Sequence, residues 1–345
     1  MLVNRRKDDN RRKDDTLAFW RSRIDQLLQP VDPNTPLVGN LDNFDKFVFT
    51  EWATDLAKVQ DWLGSLNGNW VFRGQHDAEW SLETSRDRAS RCQIRVLNDE
   101  GRYKPLDVRM DPSGNGRKMF DAFKGRAHHF LPSTPEDDEV LDWLALMQHY
   151  GAPTRLLDFT DSPFVALYFA VEDTKPPKCK SSAIWALSLD WIVEKSNEAL
   201  RAKDHFFGTA SASEIGKRNK KFNDLLLSEM DQGNSPNPDV IAVARNLRLN
   251  ERQAAQQGLF LFSMSAFGQF DESLVKMLSA LPIIQTPVVR KLILPSEGRL
   301  DLLWELKRMN ITSASLFPGL DGFTRALKLE QELRIYMANK RMESQ

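Results

Sequence analysis

The segment MQHYGAPTRLLDFTDSPFVALYFA, residues 147–170, constrains the fold most, because it places a glycine, prolines and charged groups inside an otherwise apolar run. Gly151 predicts the end of one helix. Asp161 or Ser162 predicts the N-cap of the next helix, whose first position suits Pro163. The segment therefore predicts a helix, a short buried strand and a second helix in succession.

The polar side chains of the predicted strand, residues 154–159, need partners. Side chains three apart on a strand point to opposite faces, so Arg155 and Asp158 cannot neutralise each other, whereas Asp158 and Thr160 share a face. A charged group taken from water costs several kcal/mol unless it is paired. Each charge therefore requires a partner elsewhere or a ligand, and the helix N-terminus after the strand suits a phosphate or carboxylate.

Composition and charge narrow the class of protein. The chain has 345 residues, 41% of them hydrophobic, which is ample for a core, and its 47 basic residues nearly cancel its 48 acidic ones. Net charge thus gives no reason for attraction to nucleic acid or to an acidic membrane. No signal-peptide pattern and no long apolar run occurs, so we predict a cytoplasmic protein without a membrane partner. Cys92 and Cys179 have no metal-ligand spacing, so we predict no metal.

The organisation along the chain predicts one large domain. Residues 4–15 repeat the hexad NRRKDD, which offers nothing to bury, so residues 1–16 are predicted to form a charged tail. Residues 40–340 are predicted to form a single α+β domain, with a mixed sheet of short strands and helical insertions. The apolar spacing over residues 41–66 predicts an amphipathic helix, and the sequence DPSGNG at 111–116 predicts a loop. Further strands are predicted at 183–189, 240–244, 259–262 and 288–294, and a final helix at 322–340.

A second polar cluster ends the strand candidate WVFRGQ, residues 70–75. Arg73 leaves an apolar strand beside Gly74, which lets another group approach the backbone closely. A guanidinium there can hold a carboxylate or a pyrophosphate through two parallel hydrogen bonds. The alternative is an internal ion pair between Arg73 and Asp158.

A third cluster lies in NERQAAQQGLFLF, residues 250–262, where Gln256 and Gln257 directly precede a strand. They either satisfy backbone groups in a turn or line the pocket that Arg73 faces. His149 can act as a base or bond a ribose hydroxyl, or it is structural. No GxSxG, Walker loop, GxGxxG or HExxH pattern occurs.

The three blocks, at 70–82, 144–170 and 252–262, resemble the FRG-domain family, which is named for the Phe-Arg-Gly found here as Phe72-Arg73-Gly74. Their order is also similar to that of ADP-ribosyltransferases of the arginine, serine, glutamate type. That second resemblance implies an ADP-ribosyltransferase-like core with NAD as a substrate and a nucleotide as the ligand. It assigns cofactor binding to Arg73, Gly74, His149, Thr160 and Ser162.

The same resemblance places Gln257 where a catalytic glutamate is expected. Because a neutral amide stabilises a developing cation less than a carboxylate does, Asp158 is the candidate for the missing charge. The first hypothesis is therefore an NAD-dependent ADP-ribosyltransferase-like or NAD-cleaving enzyme, used as a bacterial toxin or defence effector. The alternative is a non-catalytic FRG-type module that binds a nucleotide, RNA or a protein partner. A third reading makes the polar residues an internal network that holds a scaffold together.

Overall fold

The computed structural model divides the chain into two units, Met1–Asn43 and Phe44–Gln345. Every residue that the structure describes lies in the second unit, and the predicted charged tail at residues 1–16 lies outside the described residues. The described residues are 46–89, 91–97, 103–109, 112–173, 179–201, 212–232, 237–245, 251–265, 268–280 and 287–343.

The described residues contain a seven-stranded mixed sheet and a separate two-stranded sheet. The strands are Phe49–Trp52 (β1), Trp70–Gln75 (β2), Arg91–Leu97 (β3), Tyr103–Arg109 (β4), Leu157–Thr160 (β5), Ser181–Ser188 (β6), Ile241–Ala244 (β7), Gly258–Ser263 (β8) and Val289–Pro295 (β9). The large sheet has the order β1-β9-β6-β2-β5-β8-β7, in which β1 and β9 are parallel and the other neighbours are antiparallel. Strands β3 and β4 pair antiparallel. The predicted α+β class with a mixed short-strand sheet is confirmed.

Helices are inserted between the strands throughout the described residues. They are Leu56–Gly64 (α1), Ser85–Ala89 (α2), Pro112–Ala127 (α3), Val140–His149 (α4), Pro163–Val171 (α5), Leu189–Arg201 (α6), Ala212–Gln232 (α7), Glu251–Ala255 (α8), Phe270–Ser279 (α9), Arg299–Arg308 (α10), Ser313–Leu316 (α11) and Leu320–Glu343 (α12). None of the helices in the described part of the chain is long and apolar enough to cross a membrane.

Both faces of the large sheet are covered. Val71 and Phe72 are neighbours on β2, yet they belong to different clusters of buried side chains, as the two-residue period of a strand requires. The cluster around Phe72 includes apolar residues of α1, α5 and α10, while the cluster around Val71 includes residues of α6 and α9. The central strands are therefore buried on both sides.

The segment at 147–170 folds as the sequence predicts. Helix α4 ends at His149, Gly151 has a φ of 83°, β5 follows, and Pro163 begins α5. The N-cap of α5 is Ser162, whose side chain accepts a hydrogen bond from the backbone N–H of Val165. The turns in this segment are thus explained by backbone chemistry alone.

Gly74 allows α5 to pack directly on β2. A Cβ added at Gly74 would lie 2.0 Å from the carbonyl oxygen of Ala166 and 2.5 Å from the backbone nitrogen of Ala170. Any larger residue would have to push the helix away. The close approach expected beside Arg73 is therefore made by a helix of the same chain.

Two sequence predictions are wrong in detail. The predicted helix over 41–66 contains strand β1 at Phe49–Trp52, and α1 begins only at Leu56, because β1 pairs with β9 and Asp55 caps α1 through the N–H of Lys58. Residues 41–45 of that prediction lie outside the described residues. The predicted loop at 111–116 is instead the start of α3 from Pro112 onward, since proline suits the first helical position.

Residues 201–239 are polar and only weakly periodic in sequence, and the described part of this stretch contains α7. The buried positions of α7 do recur at helical spacing, but two of them, Arg218 and Glu229, are charged and lie on either side of Phe222 and Leu226 in the sequence. Because two of the buried positions carry charged side chains, the sequence of α7 does not show a regular apolar period. Strands β6, β7, β8 and β9 and the final helix α12 lie where they were predicted, within a few residues.

Candidate functional site

A cavity of about 320 Å³ lies over β2, β5 and β8 in the described part of the chain. Helices α4, α5 and α8 contribute the remaining walls. Its lining residues are Phe72, Arg73, Gly74, His76, Ala145, Gln148, His149, Asp158, Phe159, Thr160, Phe169, Arg252, Gln253, Gln256, Gly258, Leu259 and Phe260.

The cavity forms where β2 and β5 separate. Among the described residues their ladder has a single register pair, Phe72 with Thr160, and beyond it the strands no longer pair. The Nη1 of Arg73 crosses this opening and donates a hydrogen bond of 2.7 Å to the carbonyl oxygen of Asp158. The guanidinium thus satisfies a backbone group that lacks a strand partner on this side.

The guanidinium of Arg73 has more hydrogen-bond donors than the described residues use. Its bond to Asp158 goes to the main chain, and among the described residues its buried Nε has no acceptor. Burial lowers the pKa of Arg73, while the nearby Asp158 carboxylate opposes that shift. Because buried donors normally find an acceptor, the unpaired Nε leaves this cavity-lining guanidinium with one hydrogen bond fewer than it can make.

Asp158 is held by an amide rather than by an arginine. Its Oδ2 accepts a hydrogen bond of 2.7 Å from Nε2 of Gln148, and Oε1 of Gln148 in turn accepts one from the hydroxyl of Thr154. The bond from Thr154 fixes the orientation of the amide, and Oδ1 of Asp158 accepts no hydrogen bond from any other described residue. The side chain of Asp158 is exposed to the cavity, yet desolvation by the surrounding cavity walls raises its pKa, and the Arg73 charge and the Gln148 bond act against that shift. One carboxylate oxygen is therefore open to the cavity.

Thr160 lines the cavity, but its hydroxyl is already engaged. It donates to the carbonyl oxygen of Gln256 at 2.7 Å and accepts from the backbone N–H of Ser162 at 3.0 Å. The side chain of Ser162 caps α5, and Ser162 is not part of the cavity lining. Asp161, next to it, forms two hydrogen bonds of 2.5 and 2.7 Å with Arg245.

The structure does not bring Gln257 to the cavity. Gln257 is exposed, its φ is 49°, and its carbonyl accepts a hydrogen bond from the N–H of Asp161. Gln256 lines the cavity instead, and its Nε2 donates to the carbonyl oxygen of Leu316. The left-handed backbone at Gln257 leads directly into β8, so the two adjacent glutamines have different environments.

The other predicted cofactor residues, Gly74 and His149, do line the cavity. His149 is the last residue of α4; it is exposed, and its ring centroid is 5.1 Å from that of Tyr150. Arg73, Gly74, His149, Asp158 and Thr160 therefore meet in one place, whereas Ser162 and Gln257 lie apart from it.

Gln148, Arg252 and Gln253 also line the cavity, although the sequence analysis did not single them out. The guanidinium of Arg252 lies 4.6 Å from the ring centroid of Phe317, a cation–π contact. The signal for Arg252 was present in RQAAQQ, because Arg252 and Gln256 are four residues apart and share one side of a helical turn.

Arg155 lies away from the cavity and has a structural partner. Its Nη1 bonds the buried Glu229 of α7 at 3.1 Å, and its Nη2 donates to the carbonyl oxygen of Ser265 at 2.6 Å. Burial, together with the nearby Arg86, lowers the pKa of Arg155 to about 10, and Glu229 acts in the opposite direction. Arg155 precedes β5, which begins at Leu157 rather than at the predicted residue 154, and Arg155 and Asp158 have separate partners.

The cavity combines cations, one carboxylate, amides and aromatic rings. Arg73 and Arg252 give it positive charge beside Asp158, and Phe72, Phe159, Phe169 and Phe260 supply apolar surface. This arrangement can hold an anionic ligand with a flat ring next to a carboxylate. Among the described residues, no group of three or more His, Cys, Asp or Glu side chains is placed to hold a metal ion.

Fold and site together define an α+β protein with a cation-lined cavity at the separation of two central strands. The sequence matches the FRG domain over residues 68–179, so the chain carries an FRG domain there. A search of curated proteins and a search of solved structures found no match. The matched region supplies Arg73, Gln148 and Asp158, whereas Arg252 and Gln256 come from the block after it and line the same cavity.

Proposed function

We propose that the cavity binds NAD and that the protein is an ADP-ribosyltransferase-like or NAD-cleaving enzyme. One observation carries the proposal. Arg73 and Asp158, 85 residues apart in the chain, face the same cavity, the first with an unused buried donor and the second with an unbonded carboxylate oxygen. An arginine can bind an anion, and a carboxylate can stabilise a developing cation. NAD supplies both, through its pyrophosphate and through the ribose from which nicotinamide leaves.

The pyrophosphate of NAD suits the arginines. The Arg73 guanidinium lines the cavity and can bond phosphate oxygens, and Arg252 adds a second positive charge to the lining. At 320 Å³ the cavity is at the small end of ligand pockets, which span about 300–1,000 Å³. We therefore place the nicotinamide ribose and its phosphate inside, with the adenosine extending outward.

The side-chain amides suit the nicotinamide. Gln148, Gln253 and Gln256 line the cavity beside phenylalanine rings. An amide offers both a donor and an acceptor, as the carboxamide of nicotinamide does, and a phenylalanine ring can stack on the pyridine.

The reaction needs a carboxylate beside the sugar. When the bond between nicotinamide and ribose breaks, its electron pair leaves with nicotinamide and positive charge develops on the ribose. Asp158, oriented by Gln148, stabilises that charge through its free oxygen. Water or the hydroxyl of an acceptor then bonds to the ribose carbon and releases one proton. In this proposal Asp158 takes the role that the resemblance gave to Gln257.

The test measures nicotinamide released from NAD by the full chain. We expect wild-type protein to release nicotinamide and Arg73→Ala to lose the activity. Asp158→Asn, which keeps an acceptor for Gln148 but removes the charge, is expected to lower the rate by about 100-fold. Arg308→Ala removes an exposed arginine that pairs with Glu305 and is the matched control. Absence of nicotinamide release from wild-type protein, with and without candidate acceptor proteins, would contradict the enzyme proposal.

The second candidate is a non-catalytic module that binds a nucleotide, RNA or a protein partner in the same cavity. A glutamine at the position where the resemblance expects a catalytic glutamate favours it, as does the engagement of the Thr160 hydroxyl by the main chain. This candidate predicts that Arg73→Ala weakens ligand binding while wild-type protein releases no nicotinamide. The two candidates thus differ in turnover and agree on the role of Arg73.

A further inference from the structure

Helix α12, Leu320–Glu343, has two apolar sides. On its inner side Leu333 is buried, and Tyr336 donates a hydrogen bond to Asp301 of α10. On its outer side large apolar side chains face solvent: Leu320 is 76% exposed, Phe323 53%, Leu327 48%, Ile335 58% and Met342 69%. A helix that packs on its own domain through one side does not need a second apolar side.

The outer residues form a stripe with a symmetric spacing. At 100° per residue, seven of the exposed residues fall within an arc of about 80° on this side of the helix. We call them the α12 stripe: Leu320, Thr324, Leu327, Gln331, Ile335, Ala338 and Met342. The intervals between them are four, three, four, four, three and four residues, so the order of spacings is the same from either end, and Gln331 is the centre.

We propose that the α12 stripe pairs with the α12 stripe of a second copy of this chain, antiparallel and about a two-fold axis through Gln331. In that arrangement Leu320 lies against Met342 of the second copy, and Leu327 lies against Ile335 of the second copy. Thr324 lies against Ala338, so large residues meet large ones and small residues meet small ones. A two-fold interface uses the same patch on both copies, which is what the palindromic spacing provides.

The spacing also fits the geometry of paired helices. Each half of the stripe covers eleven residues, and an eleven-residue repeat is close to the natural period of an α-helix, so the pair needs little supercoiling. The 24-residue helix gives a contact about 36 Å long.

Charge and dipole favour the antiparallel direction. Antiparallel helices place opposite ends of their dipoles side by side. Arg334, which bonds Glu330 of its own helix at 3.0 Å, then also lies near Glu330 of the second copy. Arg341 falls near the exposed ring of Phe323 of the second copy, where a cation–π contact can form.

The first test is the mass of the full chain in solution at micromolar concentration, by sedimentation velocity. We expect a particle of twice the 39.6 kDa chain mass. The variant Leu327→Lys/Ile335→Lys changes two exposed residues and is expected to be a folded monomer, as checked by circular dichroism. The matched control is Phe130→Lys, which changes an exposed apolar residue outside α12 and is expected to stay dimeric. A monomeric wild-type chain, or a dimer that survives the double change, would overturn the proposal.

The second test fixes the direction by disulfide formation in a chain with Cys92 and Cys179 replaced by serine. Residue 331 lies on the two-fold axis, so Gln331→Cys is expected to form a disulfide rapidly with the same residue of the second copy. Leu320→Cys is expected to cross-link to Met342→Cys on a second copy but not to itself. Efficient self-cross-linking of Leu320→Cys would indicate parallel helices and would contradict the antiparallel proposal. Neither test depends on NAD, so the dimer and the proposed activity can fail separately.

Discussion

At the scale of single residues, the environment of Asp158 links structure to function. If an arginine paired with both oxygens of this carboxylate, the ion pair would be stable, but neither oxygen would be available to a ligand. Here Gln148 holds one oxygen and Arg73 bonds the main chain, so the second oxygen stays open. The pKa of Asp158 is raised, and the first cause is desolvation of the carboxylate by the walls of the cavity that it faces.

That raised pKa predicts how stability depends on pH. The pKa of Asp158 in the unfolded chain is near 3.8. Because its pKa in the folded chain is higher, the folded chain binds more protons than the unfolded chain at pH values between these two pKa values. Ionised Asp158 therefore opposes folding, and this effect is complete above the folded pKa. We expect Asp158→Asn to melt at a higher temperature than wild type at neutral pH, with a difference that shrinks as the pH falls toward 3.8.

The melting temperatures can be followed by differential scanning fluorimetry across that pH range. Asp224→Asn, an exposed aspartate on α7, serves as the control for loss of a negative charge. If Asp158→Asn melts below wild type at neutral pH, the ionised carboxylate is stabilising and the account of its environment is wrong.

Much of the cavity can be predicted from the sequence at this scale, and its failures have a local cause. Polar residues at the ends of apolar strands indicated Arg73, Asp158 and Thr160, and the structure brings them together. Whether Gln256 or Gln257 lines the cavity depends on the left-handed φ of Gln257, and residue spacing in the sequence does not predict that angle. Gln148 was missed because a polar residue in the last turn of a helix usually faces water.

At the scale of secondary-structure elements, the packing of α5 on β2 holds Arg73 in position. Gly74 allows the contact, since a Cβ there would overlap the backbone of Ala166 and Ala170. The strand of the FRG motif and the helix after β5 are therefore packed backbone to backbone at Gly74. The glycine of the motif is explained by this contact without any ligand.

A pair of glycine substitutions tests this contact. We expect Gly74→Ala to lower the free energy of unfolding by about 1–3 kcal/mol, because the added methyl group overpacks the interface. Gly125→Ala, in the exposed part of α3 where a Cβ meets nothing within 4 Å, is expected to raise it by up to about 1 kcal/mol. Denaturant unfolding of both variants measures the difference. A Gly74→Ala chain as stable as wild type would show that α5 does not depend on the glycine.

Elements with a regular apolar period were predictable, and those that depend on tertiary contacts were not. The strands β6 to β9 read as short apolar runs, and β5 was recognised between two helix boundaries. Helix α7 was missed because Arg218 and Glu229 occupy buried positions on it, and Glu229 is there to pair with Arg155. Strand β1 was read as helix because its pairing with β9 is a contact distant in the sequence.

At the scale of the whole molecule, distant segments converge on one cavity. Residues of the FRG match provide Arg73 and Asp158, and a block that begins more than seventy residues after the match ends provides Arg252 and Gln256. The separation of β2 from β5 makes room for this convergence. We propose that the cavity is an NAD site whose affinity depends on the Arg73 guanidinium.

Calorimetric titration of NAD into the full chain tests that claim most directly. We expect wild-type protein and the Arg308→Ala control to bind one NAD per chain with equal affinity. Arg73→Ala is expected to bind at least about 10-fold more weakly, because it loses a charged bidentate contact worth about 1.5–3 kcal/mol. Absence of NAD binding by wild-type protein, or equal binding by Arg73→Ala and wild type, would contradict the account.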